Sequence, residues 1–206
     1  MESKDYLKDI SEIKNLMHKS SRFISLSGLS GVLAGIYALI GAFLAKSKYN
    51  QFIGSKNNTY NSSYSVLSFE LILIAITVIA LAVITGILLT YRKAKKSNEN
   101  MWDSSSKRLV LNFFFPLLAG GLFCLSLIQY GVYGLVAPAT LIFYGLACVN
   151  ASKYTIGDVR YLGITNIVLG LISTQFIGYG LYFWALGFGG LHIFYGAVMY
   201  FKYERK

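Results

Sequence analysis

Two stretches of this chain contain no charged residue: Leu109 to Ser152, 44 residues, and Tyr161 to Phe201, 41 residues. Very few folds can absorb such a stretch. A hydrocarbon core of about 30 Å is crossed by about 20 helical residues, and backbone polar groups inside it must be satisfied within the segment, which leaves helices. Each stretch is twice one crossing, with turn-forming residues near Gln129 to Gly134 in the first and near Gly178 to Gly180 in the second. Each therefore reads as two spans. Two further apolar segments lie upstream, so the expectation is an all-α membrane protein. Its membrane domain, 23–203, is a six-transmembrane helical bundle with spans at about 23–45, 66–91, 109–129, 132–151, 161–178 and 181–201. Composition agrees, since 55% of residues are hydrophobic against 14% charged, with a mean hydropathy of +0.53.

Charge supplies the orientation. Between spans 2 and 3 the chain places Arg92, Lys93, Lys95, Lys96, Lys107 and Arg108 against only Glu99 and Asp103, and short loops rich in Lys and Arg stay on the cytoplasmic side. With both termini cytoplasmic, sixteen of the nineteen basic residues fall inside; a five-span chain would carry Lys202, Arg205 and Lys206 outside. The expected location is the plasma (inner) membrane. The net charge of +10 is accounted for by topology and by anionic lipids at the cytoplasmic face, and no nucleic-acid-binding motif accompanies it, so no nucleic-acid partner is expected.

Residues 1–22 read as a cytoplasmic amphipathic helix, with Tyr6, Leu7, Ile10, Ile13, Leu16 and Met17 on one face and charges that nearly cancel. The first apolar run is too long for a signal peptide and has no small-residue cleavage site, so span 1 should be retained. Within it Ser27, Gly31 and Gly35 stand four apart, the spacing that lets a second helix approach closely in lipid. Ile142-Phe143-Tyr144-Gly145 recurs 51 residues later as Ile193-Phe194-Tyr195-Gly196, and Gly86 stands at a similar depth in span 2. The echo suggests three like-oriented helical hairpins about an axis normal to the membrane.

Ionisable residues within the spans reduce to Glu70, near the outer surface, and His192, near the midplane; their cost in lipid makes each a candidate. Gly189 and Gly196 share the face of His192, so a helix should pack over it. The polar intramembrane site is then expected among His192, Glu70, Tyr195, Tyr144, Asn166 and Tyr37. Of the other amides, Asn112, Gln129 and Gln175 lie nearer the interfaces, and interhelical hydrogen bonding is the expected role of all four. No metal is expected, because His18 is the only other histidine, and Cys124 and Cys148 sit too far apart in depth for a disulfide. Hydrolase, metalloprotease, P-loop and dinucleotide motifs are absent, so neither catalytic residues nor a cofactor is expected. The reading that follows is a non-catalytic polytopic protein, a regulatory, sensory or scaffold component acting through its basic cytoplasmic face on lipid, a protein partner or a second copy. The alternative is a small channel or carrier for a neutral or weakly charged solute, with His192 in a central cavity. An intramembrane enzyme ranks third, since no carboxylate or nucleophile stands at the level of His192.

Overall fold

The computed structural model describes residues 26–54, 60–97 and 102–205. The expected amphipathic helix over 1–22 lies outside these residues. All described elements are helical: α1 (Gly28–Gly54), α2 (Tyr60–Lys96), α3 (Ser104–Gln129), α4 (Val136–Ala151, entered and left by single 3-10 turns), α5 (Asp158–Ser173) and α6 (Gly180–Tyr203). Five of the six are long and apolar enough to cross a membrane. The exception is α5, whose 16 residues span about 24 Å and which ends at Ser173 instead of reaching residue 178. The chain turns over 174–179 through Thr174, Gln175 and Gly178, the last at φ 99°, a conformation open to glycine.

The first hairpin departs most from expectation. Residues 46–65 were expected as a polar loop, yet α1 continues to Gly54 and α2 begins at Tyr60. Lys48 explains the extension: one turn past the apolar run, its Nζ lies 2.9 Å from Glu70 Oε1 on α2, so the helices stay paired beyond their apolar length. Deeper in the pair, Gly41 receives Val78.

The other helices are assembled around α4 and α6. α4 packs against α3 on one side and α5 on the other; α6 touches α4 and packs along α1, which carries α2 outward. Pro116 in α3 has no N–H, so the Asn112 carbonyl one turn back loses its helical donor. Asn150 of α4 replaces it, with Nδ2 2.9 Å from that oxygen. The consecutive helices α5 and α6 are only loosely joined, because α5 packs chiefly on α4, and α6 chiefly on α1.

Glycines set these interfaces, and they do so twice in the same way. A Cβ on Gly145 would stand 2.5 Å from the Gly163 carbonyl oxygen and 2.9 Å from Ile167 N; one on Gly196 would stand 2.8 Å from the Gly28 oxygen and 2.6 Å from Val32 N. Likewise Gly170 would meet Pro138 O and Ile142 N, and Gly35 would meet Gly189 O and Ile193 N, all within 3.1 Å. Each α4 residue is answered by the α6 residue 51 positions later, and each α5 residue by the α1 residue 135 positions earlier. Helix α1 thus lies on α6 as α5 lies on α4. Gly86 takes no part, since a Cβ there meets nothing within 4 Å. In α2 the residue 51 before Gly145 is Ala94, which is 1% exposed.

Candidate functional site

His192 follows a run of seven residues, Ala185–Leu191, wound as a π-helix. Gly187, Gly189 and Gly190 fall in it. Glycine weakens a regular helix, and single wide turns of this kind recur at functional positions. The wide turn brings the Gly187 carbonyl under the imidazole, 2.9 Å from Nδ1. Across the interface Tyr144 Oη of α4 lies 2.6 Å from Nε2. A carbonyl only accepts, so Nδ1 carries the proton, Nε2 presents its lone pair and the Tyr144 hydroxyl donates to it. With the imidazole neutral, both ring nitrogens are satisfied by the protein. Phe188 stacks on the imidazole with centroids 5.8 Å apart and touches Tyr144; Trp184 and Phe113 extend the aromatic cluster on either side.

The helix over the glycine face of α6 is α1, as the spacing implied, but α1 covers backbone there: a Cβ on Gly31 would be 3.6 Å from the His192 carbonyl. The imidazole instead points to α4. Asn166 lies on the far side of Gly187, fully buried, with Nδ2 2.9 Å from the Leu162 carbonyl of its own helix, an intrahelical bond where an interhelical one was expected. Its Oδ1 and the hydroxyl of Ser173, two turns along the same face of α5, have no hydrogen-bond partner among the described residues. A Cβ on Gly187 would lie 2.8 Å from that Oδ1 and would strike Leu141, so α5 is seated directly on the π turn.

Of the six expected site residues, the structure joins Tyr144 to His192 and places Asn166 against Gly187. Glu70 is elsewhere, in its ion pair with Lys48. Tyr195 packs edge-on against Phe194, and Tyr37 is half-buried on α1. Among the remaining amides, Asn112 accepts from Asn150 and Gln175 bonds to Thr174. Cys124 and Cys148 are both buried and free.

Sequence reasoning missed Glu204. Its Oε1 accepts the Gly28 N–H at 2.6 Å and Lys93 Nζ at 3.2 Å, while Ser27 Oγ stands 3.4 Å from Oε2 and Lys93 also reaches the Leu26 carbonyl at 2.8 Å. One carboxylate from the end of α6 therefore satisfies an orphan donor at the start of α1 and ties down the end of α2. Nearby, Lys202 pairs with Asp158 at the start of α5. These links gather four helix ends at one end of the bundle. Asp103 caps α3 through Ser106 N, so each described acid there is already engaged. Arg92, Lys95, Lys96, Lys107, Arg108, Lys153, Arg160 and Arg205 stay exposed, with no ion pair among the described residues.

No protein-family model, curated protein or solved structure matches this chain.

Proposed function

We propose that this is a non-catalytic multi-pass protein of the plasma membrane, a regulatory, sensory or scaffold component that works through its basic end. One observation carries the reading: exposed cations crowd one end of the bundle while the acids there are consumed by a helix cap and two ion pairs. A face of that kind is attracted to anionic lipid and to acidic partners. In this reading the basic end is cytoplasmic, both termini are inside, and α5 is the sixth span, its short helix completed by the turns over 174–179. The recurrence of 51 residues supports three like-oriented hairpins, with Ala94, Gly145 and Gly196 as equivalent positions in the second helix of each. His192 then serves as a packed core residue that locks α6 to α4.

A second reading, a small channel or carrier for a neutral or weakly charged solute, draws on the orphaned Asn166 Oδ1 and Ser173 Oγ, which offer a solute two buried polar atoms on α5, the first of them against Gly187. Solute-driven swelling of proteoliposomes separates the two. The first reading expects rates equal to protein-free vesicles; a flux that His192→Gln abolishes in a normally folded protein would put transport in its place.

A further inference from the structure

Lys46 stands at the opposite end of α1 from the Glu204 cap, and two rings hold it in place. Its Nζ lies 5.3 Å from the ring centre of Tyr182, near the start of α6, and 5.6 Å from that of Tyr49, one turn further along α1. One cation therefore bridges α1 and α6. It has no ion pair among the described residues, and Glu70, the one acid described at this end, is taken by Lys48. The rings orient the ammonium without neutralising it, because a ring face carries no net charge, and its N–H groups remain free to donate to an anion.

Two turns below, about 10 Å deeper, the same two helices touch again. Leu39 shares a helical face with Lys46, seven residues on, and a Cβ on Gly189 would stand 2.6 Å from Leu39 Cγ. Gly190 beside it leaves a recess, since a Cβ there would meet only Leu186, at 3.3 Å. Between the two levels, one turn deeper than Lys46 and Tyr182, stand Phe43 and Leu186, 74% and 52% exposed. Contact at both levels fixes how far apart the walls stand. The result is a groove with a cation at its head and apolar side chains along its length.

An aromatic belt accounts for exposed tyrosines at a membrane interface, but not for an unpaired cation seated against two of them. A second copy of the chain offers no free carboxylate at this level, because its Glu70 is used in the same way. A phosphate carried on an acyl chain matches the cation and the groove together.

We propose that the groove between α1 and α6 binds a glycerophospholipid of the outer leaflet, its phosphate against Lys46 Nζ and one acyl chain along Leu39, Phe43 and Leu186. The proposal rests on the membrane reading above and concerns the end of the bundle remote from the basic face. The group recognised is the phosphodiester, so zwitterionic and anionic lipids both qualify.

Phe43 supplies the reporter. A photoreactive benzoylphenylalanine at that position keeps the phenyl ring already present, and the full-length protein is irradiated in vesicles of phosphatidylcholine, which has no net charge to draw it to the basic end. Cross-linking to lipid is expected, falling about threefold with Lys46→Gln and holding with Lys46→Arg, the scale of one exposed ion pair. The same probe at Leu111 of α3, 69% exposed, should respond to neither change. A yield at Phe43 that Lys46→Gln leaves unaltered would mean annular lipid only, refuting the site while the membrane reading stands; no cross-linking at either position would overturn both. Glycerol 3-phosphate in excess should not compete, and competition would assign Lys46 to a soluble phosphate and overturn the lipid site. Should the probe at Phe43 impair folding, Leu186 carries it on the facing wall with the same expected results.

Discussion

Replacing Glu204 by alanine tests how the basic end is held together, because three helix ends share one carboxylate. The change removes a charge-assisted bond to the Gly28 N–H, of a kind worth about 1.5 to 3 kcal/mol, and an ion pair with Lys93. The pair is largely covered, the two side chains being 20% and 15% exposed, but it is not desolvated, so solvent screening holds it near 1 kcal/mol or below. Helix α1 also loses its cap, whose usual worth of about 0.5 to 2 kcal/mol is the same bond counted again and is not added. Glu204→Ala should therefore destabilise by about 2 to 3 kcal/mol in reversible unfolding in mixed micelles. Glu204→Gln keeps an acceptor for Gly28 and should lose about 1 kcal/mol. In a double-mutant cycle with Lys93→Met, the coupling isolates the ion pair at about 0.5 to 1 kcal/mol. A Glu204→Ala protein within 0.3 kcal/mol of the parent would refute the argument, since it would mean that water caps α1 equally well.

Three other expectations follow from the packing. Tyr144→Phe leaves His192 Nε2 without a donor and should cost about 1 kcal/mol, the ordinary scale for hydrogen bonds between membrane helices; His192→Leu orphans both the hydroxyl and the Gly187 carbonyl and should cost about 2, and unfolding that ranks Tyr144→Phe above His192→Leu would contradict the network. Gly145→Ala and Gly196→Ala each drive a methyl into facing backbone and should cost about 2 to 3 kcal/mol, while Gly86→Ala and Gly121→Ala, which meet open space, should be neutral or stabilising in the same unfolding assay. For topology, single cysteines at Asn58 and Lys107, the latter exposed, are placed in a chain without Cys124 and Cys148 and treated in intact cells with an impermeant thiol reagent. Labelling at position 58 and not at 107 is expected, and the reverse pattern would invert the orientation.

The all-helical architecture was legible in the sequence, because a run of 44 uncharged residues permits little besides two helices. How those helices face one another was much less legible. In a soluble bundle the apolar stripe points inward, but here the lipid-facing side is equally apolar, and α2 shows not one buried residue in its most hydrophobic window. Glycine is the residue that still speaks, and the Gly31 and Gly35 spacing identified a true contact face. His192 was found through the cost of a polar group in lipid. Tyr144 stood among the residues expected beside it, but nothing local marked it out from Tyr37 or Tyr195 as the one that would reach the imidazole. Glu204 escaped notice for a related reason: it sits in a tail read for its positive charges, and its role exists only once the start of α1 is beside it. The continuation of α1 past Ala45 was hidden too, since Lys46 to Gln51 looks like loop until Lys48 meets Glu70.

The matched contacts of α4 with α5 and of α6 with α1 separate how the helices pack from the order in which they are strung. Between α4 and α5 the chain passes directly through residues 152–157; between α6 and α1 the two partners are the far ends of the described chain, held by Glu204 at hydrogen-bonding distance from Gly28. Geometrically the bundle is circular where the polypeptide is linear. A permuted protein joined by a short linker from Arg205 to Leu26 and opened at residues 98–101 would ask the new junction to do no more than the existing turn between α4 and α5 already does.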